Sequence, residues 1–187
     1  MKRTANMGKK YIHFIDTETT GLVADRHELL EVAVVTEEVN PANPKLPGRI
    51  IREWCRKVKP QNLAEAEPKA LEVNGYNDAD WKNATLFPDL ARELLGLLQD
   101  GTIVGHNVKF DVGFLEAAFL RAGVTPRIGY HHIDTITLAY ARWGLPGDIE
   151  RLSLDYLRGH LGIPLAGGHS ALKDALDCRE VFYRTLA

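Results

Sequence analysis

Apolar residues recur with two different periods along this chain, and the two periods divide it into strands and helices. Residues 11–16 and 28–36 alternate or run apolar over strand length, the second rich in β-branched residues, and 49–58 reads as a third strand. Between the last two lies 40–48, where Pro41, Pro44 and Pro47 forbid a strand and predict a long hairpin loop. After Pro60 the period becomes helical. A short helix is expected over 64–71 and a longer one over 88–98, with Leu90, Leu94, Leu95 and Leu98 on one side. A strand over 101–105, helix over 107–122, strand over 131–134 and helices over 135–142, 153–160 and 170–186 complete the order. Three strands followed by strand–helix alternation predict an α/β domain, a mixed sheet with helices on its faces. No repeat, low-complexity tract or linker divides the chain, so one domain is expected over 1–187, with 1–9 as a flexible N-terminus.

Composition narrows the class. The 187 residues are 45% apolar and 26% charged, an ordinary globular balance. No run approaches the roughly 20 apolar residues that span a bilayer, and the run over 11–15 is too short for a signal peptide. Cys55 and Cys178 make neither a disulfide framework nor a zinc pattern. A cytoplasmic protein without membrane association is expected. The net charge of −2 offers no surplus of cations for a polyanion, yet once four carboxylates discussed next are assigned to metal ions the rest of the chain is mildly basic. Charge therefore neither requires nor excludes nucleic acid.

Carboxylates sit where apolar residues belong. In an extended first strand Ile12, Phe14, Asp16 and Glu18 share a face, which places two like charges side by side unless a cation lies between them. In the helix after Asn107, the stripe of Val108, Phe114, Leu115, Ala118 and Ala122 has Asp111 in its middle. In the last helix the stripe is Ala171, Ala175, Cys178, Val181 and Phe182, with Asp174 at its edge; Asp177 falls with Lys173, Glu180 and Arg184 on the polar side. His169 precedes the expected N-cap Ser170, where a turn can bring its imidazole toward Asp174. Each has an ordinary explanation taken alone: a turn closed by Gly21, a first-turn Asp favoured by the helix dipole after an Asn107 cap, a loop histidine. Shared metal ions account for all three carboxylate positions together. Oxygen-only ligands favour a hard cation, Mg²⁺ or Mn²⁺.

Three segments, Asp16-Thr-Glu-Thr-Thr-Gly21, His106-Asn-Val-Lys-Phe-Asp111 and His169-Ser-Ala-Leu-Lys-Asp174, occur in this order and resemble the three exonuclease motifs of the DEDDh (DnaQ-like) superfamily. The resemblance extends through Glu28-Leu-Leu-Glu-Val-Ala, Val73-Asn-Gly-Tyr76, His132-Ile-Asp-Thr-Ile-Thr-Leu-Ala139 and Leu152-Ser-Leu-Asp-Tyr-Leu157, so it covers essentially the whole chain. The tyrosine variant of the superfamily would need Tyr at position 170, which is Ser here. The resemblance implies a ribonuclease H-like fold, a central five-stranded mixed sheet whose first three strands are antiparallel. Asp134 and Asp155 fall outside the implied ligand positions and are read as structural.

By the same resemblance Asp16, Glu18, Asp111 and Asp174 hold two Mg²⁺ or Mn²⁺ ions, and His169 is the general base for the attacking water. The implied reaction is 3′-to-5′ exonuclease cleavage that releases nucleoside 5′-monophosphates. The implied substrate contacts are Thr17 and Thr19 by backbone and hydroxyl, Asn107, and Phe110 beside the terminal bases. Tyr76, Trp81 and Phe87 read equally well as base-wedging or as packing residues. Nucleic-acid 3′ ends are the expected partner, with single-stranded DNA favoured and a DNA polymerase as a further partner. RNA 3′-end trimming uses the same centre, and a non-catalytic nucleic-acid or polymerase-binding module is the reading from another class.

Overall fold

The computed structural model describes residues 10–129, 131–164 and 170–187. Its centre is one five-stranded sheet in the order β3-β2-β1-β4-β5, formed by β1 (Tyr11–Thr19), β2 (Leu29–Glu38), β3 (Arg49–Lys57), β4 (Gly101–Gly105) and β5 (His132–Asp134). The first three strands are antiparallel, while β4 and β5 run parallel to β1. This is the mixed sheet that the order of elements predicts.

β1 and β2 are apolar on both sides because both are central. Ile15, Val32, Val34 and Ile103 face a layer made by α2 (Phe87–Leu97) and α3 (Val108–Arg121). Ile12, Phe14, Ala33, Val35 and Val104 face α6 (Ala171–Leu186) through Ala171, Ala175, Cys178 and Phe182. A third cluster joins α4 (Thr135–Ala139), α5 (Leu154–His160) and α6 through Ala139, Leu157 and Val181. Both predicted apolar stripes, on α3 and on α6, face the sheet. Among the described residues no helix is long and apolar enough to cross a membrane.

Two predicted helices differ in detail. The stretch 64–71 divides into a 3₁₀ turn at Leu63–Glu65 and α1 (Pro68–Val73), because Pro68 fits the first turn of a helix and not its interior. The helix starting at Thr135 is α-helical only to Ala139; Tyr140–Gly144 then widens to a π turn closed by the Leu145 N–H on the Tyr140 carbonyl at 2.8 Å. Gly144 lies against the Tyr140 ring, where a Cβ would be 2.6 Å away, and Pro146 follows two residues on.

The hairpin loop between β2 and β3 is tied to α6 by a buried acid. Glu37 is fully buried; it accepts from the Gly48 N–H at 2.9 Å, the Arg179 guanidinium and the Tyr183 hydroxyl. Burial, with the Glu37 carboxylate beside it, pushes the Tyr183 phenol above its ordinary range. Gly48 is required at this point, since a Cβ there would lie 2.0 Å from the Glu38 carbonyl oxygen. Glu37→Ala leaves Arg179 uncompensated, and a loss at the low end of about 3–5 kcal/mol is expected in urea unfolding.

Candidate active site

β1 outruns its parallel neighbour. β4 pairs only with positions 11–14 of β1, whereas β1 continues to Thr19. Beyond the end of β4 the start of α3 approaches β1 directly, as is usual for sites at the carboxyl ends of parallel strands. Alternation then distributes the side chains: Asp16 and Glu18 follow Ile12 and Phe14 toward α6, and Thr17 follows Ile15 toward α3.

From the α6 side comes Asp174, in the first turn of that helix and buried. One carboxylate oxygen each from Asp16, Glu18 and Asp174 lie within 4.8 Å of one another. From the α3 side comes Asp111, 3% exposed in the first turn. Its Oδ1 accepts from the Thr17 hydroxyl at 2.8 Å.

Burial of like charges has the expected electrostatic result. Burial first, then the Asp111, Glu18, Asp174 and Glu31 charges, push the Asp16 carboxyl well above the usual carboxylate range. Burial pushes Asp111 up to about 7, against the opposing hydrogen bonds from Thr17 and from the backbone, with Glu18 adding to the rise. A cluster of this kind is neutralised either by protons or by cations. Its donors are carboxylate oxygens with no sulfur among them, which suits a hard divalent cation.

The remaining predicted residues divide between the cleft and the packing. Thr17 and Thr19 line a cleft of about 300 Å³ with Glu18, Leu22, Asn74 and Phe110. Their hydroxyl donors are already used, by Asp111 and by the Gly21 carbonyl at 2.6 Å. Phe110 does both jobs: its ring packs on Phe114 at 4.8 Å between centroids and borders the cleft. Asn107 stands at the start of α3 but does not cap it with its side chain. Its backbone is left-handed, φ 66°, and its N–H donates to Asp134 Oδ1 at 3.1 Å, so the side chain is exposed instead. Trp81 and Phe87 are packing residues: Trp81 is buried and donates to the Leu30 carbonyl at 3.0 Å, and Phe87 packs on Phe119. Tyr76 lies against Trp81. Asp134 caps α4 through the Ile136 N–H, and Asp155 pairs with Arg158. His169 lies outside the described residues.

Three residues near the site were not selected from the sequence. Glu31 stands directly opposite Glu18 on β2, and its carboxylate accepts the first free N–H of α6, that of Ala171, at 2.9 Å. An acid in the middle of an otherwise apolar strand, on the parity of Ala33 and Val35, was the available signal. Lys173 bridges Asp174 at 3.3 Å and Asp177 at 3.1 Å. Arg158, 2% exposed, reaches Asp155, Asp177 and the Pro164 carbonyl, and nothing in its local sequence distinguishes it from a surface cation.

Fold and site together define a nuclease-type acidic centre, and comparison with known proteins gives its family. The profile of the RNase_T exonuclease family matches residues 13–182, so the chain belongs to that family. It is 33% identical over 165 residues to the PolC-type DNA polymerase III of Streptococcus pneumoniae strain D39, covering 88% of this chain and 10% of that protein. It is 29% identical over 175 residues to the DNA polymerase III subunit epsilon of Pasteurella multocida, covering 90% of this chain and 65% of that one. The chain thus spans about a tenth of the PolC-type relatives. Escherichia coli Exonuclease I, solved with a dT13 oligonucleotide, shares the fold with a TM-score of 0.76 at 17% identity, over 94% of this chain and 40% of that one.

The raised carboxyls fix a sign for the pH dependence of stability. An Asp111 at about 7 when folded and about 4 when unfolded binds more protons in the folded state between those values. Its contribution to stability is full below the lower value and is lost as pH rises through the upper one. Metal-free protein should therefore have a lower Tm at pH 8 than at pH 5.5, and Asp111→Asn should flatten that difference. Mn²⁺, which replaces the protons, should raise Tm more at pH 8. Equal shifts at both pH values in differential scanning fluorimetry would contradict the assignment.

Proposed function

We propose that the chain is a 3′-to-5′ exonuclease that removes nucleoside 5′-monophosphates from single-stranded DNA with the help of two Mg²⁺ or Mn²⁺ ions. The observation that carries this reading is the meeting of Asp16, Glu18 and Asp174 within 4.8 Å, with Asp111 beside them and Glu18 also lining a cleft. Asp16, Glu18 and Asp174 would hold the ions, with Asp111 completing the second position. Bound there, divalent cations supply activation of a water and neutralisation of the charge that grows on the phosphate in an in-line displacement.

The chain's own groups do the rest. β1 fixes Asp16 and Glu18 by strand geometry, so neither needs a long flexible side chain to reach the phosphate. Thr17 holds the Asp111 carboxylate in one orientation. By the family resemblance His169, five positions before Asp174, would take the proton of the attacking water. The cleft beside Glu18, walled by Leu22, Asn74 and Phe110, would receive the terminal nucleoside. The DNA reading is supported by relatives that are DNA polymerase III components and by a structural neighbour solved with a DNA oligonucleotide. The same relatives support association with a DNA polymerase.

Asp16→Ala and Asp174→Asn are expected to fold and to lose activity to background, while His169→Ala should lower kcat by about 10²–10⁴. The assay is 5′-monophosphate release from labelled DNA and RNA oligonucleotides of one sequence with Mg²⁺. Wild-type-like activity of Asp16→Ala would sink the mechanism. Cleavage of the RNA alone would replace DNA by RNA as the substrate.

A further inference from the structure

Arg158 is the one lysine or arginine among the described residues that is buried. It stands in the second turn of α5, and its guanidinium addresses three stretches of chain. One nitrogen donates to Asp155 of the same helix at 3.1 Å, a second to the Pro164 carbonyl at 2.7 Å, and Nε lies 3.1 Å from Asp177 Oδ2 on α6. Asp177 also holds Lys173 at 3.1 Å, and Lys173 reaches Asp174 at 3.3 Å.

The packing of this region does not call for a cation. α5 meets α6 through Leu157 and Val181, with Leu161 and Ile163 beside them. An apolar side chain of similar volume would serve that contact at least as well, because burying a guanidinium carries a desolvation cost that its ion pairs barely offset. What the guanidinium adds is direction: its planar fork fixes three acceptors relative to one another. Of these, Pro164 comes five positions before His169, and Asp177 comes about one turn after Asp174 on α6. The far side of the same stretch is anchored as well. Ser170 Oγ accepts from the Lys173 N–H at 3.4 Å, and Glu31 accepts from the Ala171 N–H at 2.9 Å.

We propose that Arg158 is a positioning residue for proton transfer: by fastening Pro164 to α6 it sets where His169 stands relative to Asp174. The inference rests on the exonuclease reading and deepens it. Arg158 is itself too buried to meet a nucleotide or an ion, so it acts through His169. A general base works only within hydrogen-bond reach of the proton it takes, and a misplacement of about 1 Å can cost about 10²-fold in rate. A rigid fork at the entry to the His169 stretch meets that demand, where an apolar contact would let the stretch slide along α6.

The test separates placement of the base from stability of the fold. Arg158→Met removes the fork and fills most of its volume; Asp177 keeps Lys173, and Asp155 is largely exposed to water. With a labelled thymidine oligonucleotide and saturating Mn²⁺, it should lower kcat about 10- to 10²-fold, leave KM within about twofold, and keep the Mn²⁺-induced rise in Tm. In a His169→Ala background the same substitution should change kcat by no more than about twofold, because residues that act through one group are not additive. Should Arg158→Met not fold, Arg158→Lys is read in the same way: it keeps the buried charge and offers a single ammonium in place of the fork. Unchanged kcat, or the same proportional loss with and without His169, would overturn the inference while leaving the exonuclease reading intact. A wild-type chain that releases no 5′-monophosphate would instead remove that reading, and this inference with it.

Discussion

Mutual repulsion among buried and half-buried carboxylates is the constraint around which this fold is arranged. Asp16, Glu18 and Asp174 are held within 4.8 Å and Asp111 is buried next to them. Such an arrangement costs free energy in the metal-free state and is tolerated only if the surrounding structure is rigid. That rigidity comes from β1, which is central in the sheet, and from two helices packed on its opposite faces. The charges arrive from three elements, so no single local rearrangement can separate them all. Thr17, Glu31 and Lys173 are the local means of holding them: one orients Asp111, one ties down the start of α6, and one places a positive charge beside Asp174.

Strand parity does much of the positioning. Successive residues of β1 look at different helices, so Asp16 and Glu18 address α6 while Thr17 addresses α3. The short partner β4 makes this possible by stopping at Gly105, which lets α3 begin over the unpaired side of β1. Had β4 been several residues longer, its backbone would have occupied the place that Asp111 reaches into.

The parts of this arrangement that depend on period were legible in the sequence. Helical phase places Asp111 and Asp174 on core-facing stripes, and both are buried; alternation puts Asp16 and Glu18 on one face, and they meet Asp174 there. The order of strands and helices followed from the same periods. Features that depend on long-range pairing were not legible. Glu31 becomes significant only when the register sets it opposite Glu18, and Arg158 only when α5 packs on α6. Asn107 has the composition of a cap, yet Asp134, 27 residues away, holds its N–H and its left-handed backbone turns the side chain outward. The π turn after Ala139, with Gly144 close against the Tyr140 ring, is not revealed by a helical pattern over the same residues.

The Glu37 cluster separates the β2–β3 loop from everything that happens at the acidic end of the sheet. Both ends of that loop are fixed, at Val39 through the Lys10 carbonyl and at Gly48 through Glu37, while the residues between them are exposed or nearly so. Since the entropy of closing a loop grows only slowly with its length, the segment between these anchors is a natural graft point. A fluorophore tag, a surface tether or an inserted domain placed there would ride on the far edge of the molecule, with the whole length of the sheet between it and the carboxylates.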